Sequence, residues 1–315
     1  MRRIDPRLLV IAGAAFLSAS AILLRLSGVS SGTAAFFRCA LALPVLVPLA
    51  LWERRRTGPR RRAGVDVIAG LLLGADFVLW GASIESVGAG IASVLVNVQV
   101  VVVPLLALAV FGERPSRAFG PVVPVMAAGV ALAGGLGGHG AGGADPVRGS
   151  LFGVGAGVAY AGYLFLTRVA GRGQDHRAQP VLLSTLGVGA AALAIGGPWQ
   201  GVDLAPGWPA LGWLAALAVT GQVCGWMLIG AALPRLGADV AGALLLLQPV
   251  LAVALGAVIL GERPALAQLA GCGLVVTAIR LAGRGSVSPR DDSGMGPRAR
   301  GDARTGERAD RAEVP

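Results

Sequence analysis

Long apolar runs alternate with short polar breaks along nearly the whole chain, and the runs have the length that crosses a bilayer. A hydrocarbon core of about 30 Å needs roughly 20 helical residues. On that criterion the pattern predicts spans near 8–28, 31–51, 66–86, 89–111 and 118–137, then 149–168, 180–197, 210–232, 239–260 and 266–282. The fold class expected is an all-α integral membrane protein with ten transmembrane helices, and no stretch is left over for a soluble domain. The breaks at 25–30, 85–88 and 113–118 are short enough to be turns between antiparallel neighbours, which predicts a compact bundle. Gly70/Gly74, Gly149/Gly153/Gly157 and Gly221/Gly225 each recur at four-residue spacing on one helix face. Packing within the chain explains such stripes better than a dimerisation motif does.

The pattern also repeats itself. Gly112-Glu113-Arg114-Pro115 returns as Gly261-Glu262-Arg263-Pro264, a displacement of 149 residues (261 − 112). The same displacement carries Gln99 onto Gln248, Gly88-Ala89 onto Gly237-Ala238, Gly81-Ala82 onto Gly230-Ala231 and Ala12-Gly13 onto Ala161-Gly162 without a gap. The chain therefore divides into a first five-span repeat at 1–137, an outer linker at 138–148, a second five-span repeat at 149–282 and a tail at 283–315. Duplication across apolar segments is the signature of many secondary transporters, whose substrate site forms near the midplane where the repeats meet. In the paired turns Gly can end one helix and Pro can enter the next, with Glu beside that next helix's positive N-terminus. A capped hairpin is thus a sufficient reading of both Glu113 and Glu262.

Charge fixes the expected orientation. The net charge of +10 comes from arginine alone, since the chain has no lysine. Arg2, Arg3, Arg7, the six arginines of 54–62, Arg114, Arg117, Arg168, Arg172, Arg177 and Arg235 fall in alternate loops, which the positive-inside rule assigns to the cytoplasm. The other loops carry a nearly balanced set: Arg25, Glu85, Asp145, Arg148, Asp203, Glu262 and Arg263. Both termini are then cytoplasmic in a multi-pass protein of the cell membrane. Five spans is an odd number, so the two repeats are expected to be inverted. Arginines placed this way argue against nucleic acid as a partner. The first apolar run has a basic flank like a signal peptide, but nine further spans make it an uncleaved first span.

Composition excludes other chemistry. Cys39, Cys224 and Cys272 are odd in number and lie in apolar runs, so neither a disulfide framework nor a zinc site is predicted. The glycine-rich stretch 134–143 lacks the Gly-Lys-Ser/Thr ending of a phosphate loop. No metal or other cofactor is expected. The tail alternates Arg with Asp and Glu among Gly, Pro and Ser, and is expected to be disordered, with contact to anionic headgroups its one conceivable role.

Candidate chemistry lies in the polar residues within the spans. Asp76 is ten residues from either end of its predicted span, hence about 15 Å deep at 1.5 Å per residue. A carboxylate at that depth must be protonated, paired or facing water, and such residues mark ion or substrate paths. An ion pair with Arg38, on the neighbouring span, is the structural alternative. Trp80 and Ser83 follow Asp76 at i+4 and i+7, so they share its face. Gln99 and Gln248 are repeat mates near the midplane, whereas Asn97 points about 200° away from Gln99. Tyr160, Tyr163 and Thr167 form one stripe and Gln222 with Trp226 an i+4 pair, all able either to hold an amphipathic metabolite or to pack helices. Pro249 is expected to loosen its span.

At this point the chain resembles the EamA-like family of the drug/metabolite transporter superfamily over 8–282. The likeness rests on the ten short spans, the two five-span repeats, the Gly-Glu turn after the fourth span of each repeat, and Arg38 in its apolar run. It implies a secondary carrier of the inner membrane that exports amino acids, related metabolites or drugs by alternating access, without ATP. A small-molecule substrate, protons and the lipid bilayer are the partners expected, with Asp76 as proton carrier or cation site. Not being an enzyme is part of the same reading. A lipid-modifying membrane enzyme would need a clustered nucleophile or metal set, yet His139 and His176 lie in opposite loops and no His-Glu-x-x-His occurs. A membrane sensor or scaffold would bind ligand without moving it.

Overall fold

The computed structural model describes residues 5–59, 62–112, 119–133, 145–171, 176–232, 245 and 247–284. Among these, all regular structure is helical. In chain order the helices are α1 (Pro6–Ser27), α2 (Ser31–Ala40), α3 (Leu43–Thr57), α4 (Ala63–Val87), α5 (Ala89–Leu95), α6 (Gln99–Phe111), α7 (Val122–Ala133), α8 (Pro146–Gly171), α9 (Ala178–Ala191), α10 (Gly197–Gln200), α11 (Trp208–Leu217), α12 (Trp226–Ala232), α13 (Leu247–Ile259) and α14 (Leu266–Arg284). Six stretches are long and apolar enough to cross a membrane: Pro6–Ser27, Ala63–Val87, Ala89–Phe111, Pro146–Thr167, Ala178–Gln200 and Trp208–Ile229. The pair α2 and α3, bent by 44°, makes a seventh if counted as one span. Val122–Ala133 and Leu247–Ile259, in the runs expected at 118–137 and 239–260, are shorter than 18 residues, and the apolar part of α14 is Leu266–Leu281, so the described residues hold six or seven membrane-length spans of the ten expected for the whole chain. The first of the paired Gly-Glu-Arg-Pro turns with Glu113, most of the linker and the tail beyond 284 lie outside the described residues.

Local sequence explains where the helices begin and break. Asp5 accepts the Arg7 N–H at 2.9 Å and Pro6 occupies the first turn, where its missing N–H costs nothing; Gly28, at φ 67°, ends α1. Pro44 sits in the first turn of α3, where the α2–α3 span bends. A 3-10 turn at Val96–Val98 separates α5 from α6. In the second repeat, π-helical segments at Ala192–Gly196 and Ala218–Gly225 interrupt two spans.

Helix α4 is the hub, packed against α8 and α9. A Cβ added to Gly70 would fall 2.7 Å from the Cα of Ser184, and one added to Gly187 would fall 2.9 Å from the Cα of Gly70. The α4 and α9 backbones thus meet directly, which only glycine permits. Gly149, Gly153 and Gly157 face Ser86, Leu95 and Val98, and Gly221 and Gly225 face Ser20 and Leu17. All three glycine stripes are used for packing inside the chain.

Polar ties join the repeats at both ends of the bundle. At one end the Glu53 carboxylate accepts the backbone N–H groups of Arg177, Ala178 and Gln179 at 2.6–3.1 Å, satisfying the free donors at the start of α9. Arg62 donates to Val169 O, and Gln179 Nε2 to Gly58 O at 3.0 Å. At the other end Ser83 donates to Gly149 O at 2.8 Å, Ser31 to Gln200 Oε1, and Asp203 N to Thr33 Oγ1 at 2.9 Å.

Here too Glu262 departs from its expected role. Its carboxylate accepts Ala89 N at 2.6 Å and Gly90 N at 3.2 Å, so it caps α5 in the first repeat and not the helix that follows it in its own hairpin. Leu260 N and Glu262 N both donate to Gly256 O at 3.1 Å, which curls the turn back. Gly88 and Gly256 leave the space that the carboxylate fills, since a Cβ on either would press on it.

Candidate functional site

A cavity of about 70 Å³ lies among α1, α2, α4, α5, α8, α12 and α13. Its charged and polar walls are Ser18 and Ser20 of α1, Arg38 of α2, Asp76 of α4, Ser93 of α5, Tyr160 of α8 and Gln248 of α13. Phe77, Trp80 and Trp226 supply aromatic surface. Asp76 is 13 residues from the start of α4 and 11 from its end (76 − 63, 87 − 76), so it sits roughly 16–20 Å from either helix end. The glycine contacts that draw α4 between α8 and α9 are what bury it there.

Arg38, in the last turn of α2, does not pair with Asp76. Its Nε donates to Gln222 Oε1 at 3.0 Å, and Gln222 Nε2 donates to Thr185 Oγ1 at 2.9 Å. The guanidinium carbon lies 4.1 Å from the centroid of the Phe77 ring, within cation–π range. Asp76 Oδ1 is buried with no hydrogen-bond partner, and no ion pair joins it to Arg38 among the described residues. The two residues thus line one cavity without the ion pair that was the structural alternative. Arg38 finds a neutral amide nearer than the carboxylate, because α12 and its π segment bring Gln222 against α2.

The aromatic residues form a second wall. Tyr160 and Tyr163 stack at 5.9 Å with an interplanar angle of 12°, and Trp226 meets both edge-on at 6.2 and 5.7 Å. Tyr160 and Trp226 reach the cavity, whereas Tyr163 is 9% exposed and backs them from the core. Thr167 donates back to Tyr163 O at 2.9 Å and plays no part in the cavity.

Of the residues singled out from sequence, Asp76, Arg38, Trp80, Tyr160, Trp226 and Gln248 line one cavity. Gln222 and Tyr163 stand directly behind it. Ser83 does not: its hydroxyl is spent on Gly149 O, tying α4 to α8. Gln99 also lies apart from the cavity lining, with its Oε1 buried and unpartnered, and Asn97 turns its amide onto Ser93 O and Val94 O. Gln248 lines the cavity and its repeat mate Gln99 does not, so the two glutamines are not equivalent in space.

Sequence reasoning missed Ser18, Ser20, Ser93 and Phe77. The 149-residue register held a signal for the last, because it carries Phe77 onto Trp226 (226 − 77) and both face the cavity. It also carries Asp76 onto Gly225 and Arg38 onto Gly187, so both charges belong to the first repeat alone. Among the described residues no group of three or more His, Cys, Asp or Glu is placed to hold a metal ion.

Comparison with known proteins agrees with this architecture. The model of the EamA-like transporter family matches residues 7–134 and again 147–284. A protein crystal structure superposes with a TM-score of 0.59 over 88% of this chain and 96% of its own, at 18% identity, a likeness of fold. No curated protein matches the sequence.

Proposed function

Since the chain belongs to the EamA-like transporter family, multi-pass membrane proteins of the drug/metabolite transporter superfamily, we propose that it is a secondary carrier exporting a small amino acid-like metabolite or drug across the cell membrane by alternating access. The carrying observation is that Asp76, mid-span, lines the cavity with its Oδ1 buried and without a hydrogen bond, while Arg38 on the same cavity is held by Gln222. A buried carboxylate left open in this way is costly unless a proton or a substrate cation serves it. Asp76 therefore carries the coupling proton or binds the substrate's cationic group, Arg38 faces its anionic group, and Trp80, Tyr160 and Trp226 hold its apolar part. The cavity is smaller than the roughly 300 Å³ that encloses a drug-sized ligand, so a wall must move during loading.

The full reading includes ten spans in two inverted five-helix repeats with both termini cytoplasmic. Support for inversion comes from the ties: Gly58 and Arg62, which precede α4, meet Gln179 and Val169, while the far end of α4 meets Gly149 at the opening of the second repeat. Purified protein in liposomes should move candidate metabolites when a proton gradient is imposed. A complete screen without flux would refute transport, and flux indifferent to the gradient would refute coupling alone. Comparing metabolites retained and secreted by deletion and overexpressing strains gives direction and chemical class together.

A further inference from the structure

The guanidinium of Arg38 rests in a seat made by the second repeat. Gln222 Oε1 meets its Nε, which can only donate, so the amide orientation is fixed and Nε2 must turn to Thr185 Oγ1. Gly221, beside Gln222, leaves the room: a Cβ there would fall 3.1 Å from Arg38 Nη2. Both residues lie in the π-helical segment Ala218–Gly225, whose wider turn directs Gln222 toward α2 and α9 at once. Thr185 is fully buried in α9, and Gln222 is 1% exposed, so neither amide nor hydroxyl has water as an alternative.

We propose that Thr185 and Gln222 are positioning residues: they hold the Arg38 cation in this seat and away from Asp76, so that the carboxyl group stays open to a proton or a substrate. Arg38 and Tyr160 are the other charged or titratable side chains lining the cavity with Asp76, and Arg38 is the sole cation among them. Without the seat, the compensation open to the guanidinium is the Asp76 carboxylate, the acidic group that shares its cavity. The pair would then close on itself and withdraw both groups from the cavity. The role of the open carboxyl rests on the transport reading above; the seat itself does not.

Dicyclohexylcarbodiimide, which attacks protonated carboxyl groups in apolar sites, tests this on the full chain in detergent without a substrate. Adducts on the Asp76 peptide are counted by mass spectrometry. Wild type should label at Asp76. Thr185→Val and Gln222→Met should each cut labelling about tenfold or more, the scale on which a newly adjacent opposite charge favours the ionised form. Thr185→Ser should restore it, and in an Arg38→Gln background neither seat substitution should matter. Wild-type protein unlabelled at Asp76, Thr185→Val and Gln222→Met labelling like wild type, or a loss of labelling that persists without Arg38, would each overturn the proposal. Because labelling requires no transported compound, an empty flux screen beside the expected labelling pattern would sink transport and leave the seat standing.

Discussion

The carboxylate of Glu262, in the second repeat, closes the first turn of the helix that begins at Ala89 in the first. Charge-assisted bonds to two otherwise free N–H groups are worth more than a neutral cap, and Gly88 and Gly256 make the room for the carboxylate. Glu262→Ala should destabilise the folded protein by about 1–3 kcal/mol, with Glu262→Gln intermediate because one acceptor remains. Thermal unfolding in detergent is the measurement, and a Glu262→Ala protein melting with wild type would refute the assignment.

Asp76→Asn should leave folding intact, since the amide keeps the shape of the side chain, and should abolish proton-driven flux because it can neither carry a proton nor a charge. Flux and its pH dependence in correctly inserted Asp76→Asn protein decide this. Unchanged behaviour would make the carboxylate structural.

Arg38→Ala should be harsher on stability than Asp76→Asn. It strands Gln222 Oε1 in a buried site, at about 1–3 kcal/mol, and removes a cation from the face of Phe77, worth about 0.5–2 kcal/mol. Unfolding temperatures of the two variants, compared under one condition, should fall in that order.

Trp226 and Tyr163 touch each other yet should fail differently. Trp226→Leu removes aromatic surface from the cavity, which predicts a substrate KM raised by about tenfold, the equivalent of about 1.4 kcal/mol of lost contact with the substrate. Tyr163→Leu, off the cavity, should lower the melting temperature with KM near wild type. Reversal of the two effects would place the binding surface elsewhere.

Gly70→Ala should lower stability by about 1–3 kcal/mol through overpacking against the α9 backbone, whereas Gly212→Ala, with nothing within 4 Å, should be neutral or mildly stabilising. Yield of monodisperse protein and its unfolding temperature report both.

Much of this was legible in the sequence where a residue contrasts with its surroundings. Asp76 and Arg38 stand out because an ion in an apolar run is expensive, and the helices stand out because their runs are long. Phe77 does not stand out by contrast, being an apolar residue among apolar residues, and only its register with Trp226 marks it. Ser18 and Ser20 are small and uncharged, and gain meaning only where α1 borders the cavity. Gln222 was assigned the same face as Trp226 by α-helical spacing, but the π segment redirects it to Arg38 and Thr185. Local departures from α geometry, here a π turn and a 3-10 turn, are set by packing between helices and leave little trace in one helix's own residues.

Glu53 serves a helix of the second repeat and Glu262 a helix of the first, so each repeat leaves a helix start that its counterpart completes. Neither half is self-sufficient: a lone repeat in lipid would carry bare N–H groups and a stranded carboxylate at once. Expressed as two separate polypeptides, the halves should remain soft until they find one another and then rigidify together. Their partnership is thereby written into the backbone, and it would outlast the loss of the peptide link between them.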